Sequence, residues 1–163
     1  MKFYLIPGFG EIRDEYDWLI TFASKKYQVV FLDFDFKTMT FQEMITTQIE
    51  KNSIVFGFSI GGLIAYKLET EVNHGIYCSV SNVLGENAVT YRDYMVADFG
   101  EKITDEFSNM DYGIPRAKKY TVFCGDQELD PSTQKLPNLK IIKNTGHEFT
   151  SNYKRAVLEE ISK

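Results

Sequence analysis

Six short runs dense in Val, Ile, Phe and Tyr punctuate the chain: Lys2 to Ile6, Gln28 to Phe34, Ser53 to Phe58, Gly75 to Val80, Tyr120 to Cys124 and Leu139 to Lys143. Their length and their β-branched and aromatic content predict strands. Most are nearly continuous apolar segments rather than alternating ones, which suits strands covered on both faces of a parallel sheet. Between the runs the period changes. Tyr16, Leu19, Ile20 and Ala23 recur at helical spacing, as do Ile60, Leu63, Ile64 and, one turn on, Lys67-Leu68. The stretches Met39 to Lys51 and Ser151 to Ile161 also suit helices. Alternating strand and helix predicts an α/β domain with right-handed crossovers: a three-layer α/β/α sandwich around a mainly parallel sheet of about six strands.

One region breaks the rhythm. From Gly85 to Lys119 the chain is polar and mixed, punctuated by Gly85, Gly100, Gly113 and Pro115, with helix-capable pieces at Tyr91 to Phe99 and Glu101 to Met110. A segment of that length between two strands is either a short lid or insertion, or a crossover helix with a long connection. The whole chain, 163 residues, fits a single domain over 1–163 with one core. Thirteen Phe and ten Tyr indicate that this core is heavily aromatic.

Charge removes some function classes. A net charge of -5 and the absence of a dense basic run argue against a nucleic-acid partner, whose phosphates demand clustered Lys and Arg. No apolar run approaches the roughly 20 residues that span a bilayer, and Pro7-Gly8 interrupts the N-terminal apolar stretch too early for a secretory leader. A cytoplasmic protein is therefore expected. Cys78 and Cys124 both fall inside apolar runs, where a thiol is a small buried hydrophobe. No metal-ligand spacing occurs and no organic cofactor is implied.

The sharpest local signal is Gly57-Phe58-Ser59-Ile60-Gly61-Gly62, which follows one strand-like run and opens a helical one. A G-x-S-x-G sequence in that setting makes a tight strand-to-helix turn. The turn lifts the serine hydroxyl above the sheet edge, and Gly57 and Gly61 let backbones approach. A hydroxyl nucleophile needs a base, and the chain has two histidines, His74 and His147. His147 follows the last strand and precedes the last helix, on the edge where parallel sheets gather ligands. His74 precedes a strand and so belongs to the opposite edge. A carboxylate to orient the imidazole is available in Gly125-Asp126-Gln127-Glu128-Leu129-Asp130, just after the fifth strand. Asp126, Glu128 and Asp130 all remain candidates on position alone.

These motifs, from Pro7-Gly8-Phe9-Gly10 through the Ser59 turn and Gly125-Asp126-Gln127-Glu128 to Gly146-His147, resemble the α/β-hydrolase fold superfamily in compact form, over nearly the whole chain. The resemblance implies a serine esterase or thioesterase acting on a small-molecule acyl substrate, with Ser59 as nucleophile and His147 as general base. It ranks Glu128 first as the acid, because members often carry one three residues after a strand-ending Gly; Asp126 and Asp130 stay as alternatives. It also implies an oxyanion hole from the backbone N–H groups of Phe9 and Ile60. Pro7 stands where the family has a His, a departure that leaves the Phe9 N–H in place.

Two other readings compete. Gly8-Phe9-Gly10, with Asp33 and Asp35 ending the next strand, imitates a dinucleotide fingerprint, but Arg13 occupies the third glycine position. A ligand-binding or sensor protein on the same fold, without turnover, is the other alternative, since fold does not fix function.

Overall fold

The apolar runs assemble into one sheet. In the computed structural model, which describes residues 1–163, the strands are β1 (Lys2–Ile6), β2 (Gln28–Phe31), β3 (Ser53–Phe58), β4 (Val72–Cys78), β5 (Ala117–Gly125) and β6 (Leu139–Ile142). All neighbours pair parallel, in the order β2-β1-β3-β4-β5-β6. The chain thus leaves β1 toward one side of the sheet and crosses back to build the other. Such a reversal opens a crevice at the carboxyl ends of the two central strands, here β1 and β3.

Side-chain alternation along each strand feeds two apolar layers. Tyr4, Ile6, Val55, Tyr77 and Val122 meet the helices α2 (Phe41–Ile45), α3 (Ile60–Lys67), α4 (Glu86–Thr90) and α5 (Arg92–Ser108) on one face. Phe3, Leu5, Ile54, Phe56, Phe58 and Phe123 meet α1 (Asp17–Ala23) and α6 (Ser151–Ile161) on the other. The fold is therefore the three-layer α/β/α sandwich that the strand and helix pattern predicts. The apolar edge of α6 illustrates how sequence sets the packing: Tyr153, Val157 and Ile161, four residues apart, are its buried side. Thr150 caps its start, accepting the Tyr153 N–H at 3.3 Å. No helix is long and apolar enough to cross a membrane.

Several boundaries differ from the sequence expectation, each for a local reason. The helix expected over Met39 to Lys51 is only Phe41–Ile45. A capping box of Thr40 and Glu43 starts it. At its far end the Thr46 and Thr47 hydroxyls donate back to the carbonyls of residues 42 and 43, a local alternative that favours termination. The second strand stops at Phe31. The fourth begins earlier than expected, at Val72, so His74 lies inside β4 rather than before it. The two helical pieces around Gly100 join as α5, which kinks there because Gly100 adopts φ +81°. Residues 85–119 are packed into the domain: Ala88, Met95, Ile103 and Phe107 are buried in the α2–α3 layer, and Phe107 meets Phe41 edge-on at 4.9 Å between ring centres.

Candidate active site

Ser59 stands between β3 and α3 with φ +57° and ψ −125°, a conformation that costs a non-glycine residue on the order of 1–3 kcal/mol. Surrounding bonds hold it there. Its N–H donates to the Cys78 carbonyl at 2.9 Å, and its own carbonyl accepts the N–H groups of Leu63 and Ser81 at 3.1 and 3.2 Å. The flanking glycines are required by close approach: a methyl group on Gly57 would run into the Gly61 carbonyl, and one on Gly61 into the carbonyls of Ile6 and Pro7. The turn is thereby pressed against the chain leaving β1, within the central crevice.

The loop between β6 and α6 brings His147 to the same place. Its Nε2 lies 2.9 Å from the Ser59 hydroxyl, and its Nδ1 lies 2.6 Å from Oε2 of Glu128. The imidazole also rests on Phe58, the residue before the serine, with ring centres 5.0 Å apart. Close backbone packing sets Glu128 beside His147, since a methyl on Gly125 would collide with the Thr145 carbonyl. The other two carboxylates face elsewhere. Asp126 accepts the Thr145 N–H at 3.1 Å and approaches Lys143, while Asp130 accepts the N–H groups of Ser132 and Thr133 at 2.7 and 3.2 Å. Both shape loops rather than meeting the imidazole.

Glu128 is largely buried, and burial by itself pushes its carboxyl up. Hydrogen bonds from His147, the Ser79 hydroxyl and the Gly125 N–H outweigh that penalty and hold it below the usual carboxylate range. The group is therefore ionised at neutral pH and able to stabilise an imidazolium beside it. Ser79 donates to Oε1 at 2.5 Å, and the Gly125 N–H donates to the same oxygen at 2.9 Å. Behind Ser79 stands the buried Tyr153 hydroxyl, 2.9 Å away. Sequence reasoning missed Ser79 altogether and saw Tyr153 only as part of a helical segment.

Phe9 and Ile60 lie on the two walls of the crevice, after β1 and at the first turn of α3, and neither backbone N–H donates to an acceptor in the chain. The preceding amide is occupied instead: the Gly8 N–H donates to the Glu11 carboxylate at 2.6 Å and lies 3.2 Å from the Tyr16 hydroxyl, which itself donates to Glu11. Glu11 and Tyr16 therefore fix the turn that carries Phe9, a role with no motif to announce it. The Phe9 ring, half-exposed, packs edge-on against Phe36 and Phe99 at 5.4 and 5.1 Å. Beside it opens a cleft of about 340 Å³ bounded by Gly8, Phe9, Asp33, Phe34 and Phe36. Asp35, on the same rim, accepts the Lys37 N–H and the Thr38 hydroxyl.

The remaining candidate groups lie apart from this edge. His74 sits near the amino end of β4, facing Glu160 at 3.4 Å without forming a hydrogen bond. Cys78 and Cys124 are free and buried, and burial pushes both thiols up, Cys124 to about 12.

Compared by sequence, the chain matches no family model and no curated protein. Solved structures are similar over its whole length. Acetyl xylan esterase from Paenibacillus sp. R4 superposes with a TM-score of 0.67 at 13% identity, covering 99% of this chain and 74% of that one. Alpha/beta hydrolase domain-containing protein 10 from mouse gives 0.63 at 13% identity, with 99% and 88% covered. The carboxylesterase CesB (YbfK) from Bacillus subtilis gives 0.60 at 12% identity, with 99% and 82% covered. The chain has the α/β-hydrolase fold.

Proposed function

We propose that this α/β-hydrolase fold carries a serine hydrolase that cleaves a small carboxylic ester or thioester through an acyl-enzyme on Ser59. One observation carries the reading: a continuous line from the Ser59 hydroxyl to His147 Nε2 at 2.9 Å and from Nδ1 to Glu128 at 2.6 Å, at the sheet edge where ligands gather. In that line His147 takes the serine proton as Oγ attacks the acyl carbonyl, and Glu128 holds the imidazole tautomer and stabilises the imidazolium. The N–H groups of Phe9 and Ile60 receive the developing oxyanion, each donor being worth about 100- to 1,000-fold in rate. His147 then returns the proton to the departing alkoxide or thiolate. Its side chain is half exposed, which supports the second half of the cycle, in which a water activated by the same imidazole releases the acid. The aromatic group of Phe9, Phe36 and Phe99 beside the oxyanion turn favours a small or partly apolar acyl group, and segment 85–119 supplies part of that wall.

Labelling with a fluorophosphonate probe, together with hydrolysis of short- and medium-chain p-nitrophenyl esters, tests the proposal. The wild-type protein should be labelled and should turn over the short esters, and Ser59→Ala should do neither. Ester hydrolysis that survives undiminished in Ser59→Ala and His147→Ala would refute it.

A further inference from the structure

We propose that Ser79, backed by Tyr153, is a positioning residue that aims the Glu128 carboxylate at His147. The inference rests on the reading of Ser59, His147 and Glu128 as the reacting line, and it explains three features that the reading leaves over.

Ser79 is a buried non-glycine residue held at φ +46°, at the end of β4. A left-handed backbone is rare for such residues and persists only where the surroundings over-determine it. The Ser79 N–H donates to the Phe123 carbonyl at 2.8 Å, tying that backbone to β5. In this conformation its hydroxyl is 2.5 Å from Glu128 Oε1, while Oε2 of the same carboxylate faces His147. Proton bookkeeping fixes the direction: the ionised carboxylate has no hydrogen, so Ser79 must donate. Its oxygen is then free to accept from Tyr153, whose single hydroxyl proton is shared between Ser79 at 2.9 Å and the Phe123 carbonyl at 3.0 Å. With Ser79 and the Gly125 N–H both on Oε1, the carboxyl plane cannot rotate away from the imidazole without losing two bonds in a buried place.

The same short stretch of chain also steadies the nucleophile. The Cys78 carbonyl accepts the Ser59 N–H, so residues 78 and 79 register the serine on one side and the acid on the other. The strain at Ser79 is thus spent on alignment.

The test compares Ser79→Gly, Ser79→Ala and Tyr153→Phe in the full chain. Ser79→Gly removes the hydroxyl and also relieves the left-handed backbone, so its melting temperature should equal or exceed that of wild type. Its kcat on p-nitrophenyl acetate should nevertheless fall about 10- to 100-fold with little change in KM, the range typical of residues that orient a reacting group. Ser79→Ala should lose activity similarly, and Tyr153→Phe about two- to tenfold, as for one buried neutral hydrogen bond. The downfield proton resonance of the His147–Glu128 bond should shift or broaden in both Ser79 variants, which a residue needed only for folding would not cause. A Ser79→Gly protein with wild-type kcat, or with that resonance unmoved, overturns the proposal. A wild-type protein that neither hydrolyses esters nor takes the fluorophosphonate probe refutes the functional reading instead, and the resonance alone then decides the role of Ser79.

Discussion

The sheet holds two histidine–carboxylate pairs, one at each end, and they are built for opposite ends. At the carboxyl edge His147 and Glu128 are 2.6 Å apart, the imidazole is half exposed, and a hydroxyl waits on its far nitrogen. At the amino edge His74 and Glu160 are 3.4 Å apart, both are buried, and Nε2 of His74 has no hydrogen-bond partner. Glu160 is engaged elsewhere, by Lys140 at 2.8 Å and Lys163 at 2.6 Å. Burial and the nearby Lys119 lower the His74 imidazole to about 4. Burial alone would raise Glu160, but hydrogen bonds from Lys140 and Lys163 outweigh it and bring it to about 2. A histidine beside a carboxylate therefore says little by itself. What sets the His147–Glu128 pair apart from the packed one is a third group, access to water, and a carboxylate with no cation competing for it.

The largest effects should come from breaking the carboxyl-edge line. Ser59→Ala and His147→Ala should each lower ester turnover about 10,000-fold or more, whereas His74→Gln should leave kcat within about twofold because it touches no reacting atom. Next comes the acid: Glu128→Gln is expected to cost about 100- to 10,000-fold in kcat, and Asp126→Asn and Asp130→Asn only about threefold or less, their bonds being confined to loops. Equal losses from all three amides would dissolve the distinction between them.

The amino-edge pair should announce itself in stability rather than rate. The folded-state pKa of His74, about 4, lies below its ordinary 6.5, so the unfolded chain takes up the proton first on acidification. Its contribution is complete above pH 6.5 and is lost as pH falls toward 4. Over that window His74→Gln should flatten the decline by roughly 1–3 kcal/mol, read by urea denaturation at several pH values. Glu160 acts lower, its contribution fading from its ordinary 4.5 toward about 2, a window separate enough for the two to be resolved. The smallest effect on turnover should be that of Lys140→Gln, which leaves kcat unchanged while costing about 1–3 kcal/mol of stability, because it takes one of two lysines from a buried carboxylate. A large loss of activity in either amino-edge variant would mean that the two ends are coupled.

Much of this arrangement is legible in the sequence. The limits of β1, β3 and α6 coincide with two apolar runs and one helix-capable stretch of the sequence, and positions 59 and 147 stand out through the Gly57–Gly61 spacing and the scarcity of histidine. The carboxylate is narrowed to three within six residues, but which of them meets the imidazole depends on the way each side chain leaves one loop. No periodicity records that. The early end of α2 escaped notice because Thr46 and Thr47 look acceptable in a helix until their hydroxyls are seen donating to its last carbonyls. Ser79 escaped for a deeper reason: its role comes from a backbone angle and from partners 49 and 74 residues away, neither of which leaves a mark on neighbouring positions.

The sheet is open, and β2 and β6 form its outer margins. An unpaired strand margin is a template on which another polypeptide can add itself, and proteins blunt such margins by shortening them and placing charge on them. Both outer strands here are only four residues long, and β6 carries Lys140 in its middle. The colloidal behaviour of the protein, its resistance to stacking side by side at high concentration, should thus depend in part on that one lysine, whose ammonium also holds Glu160.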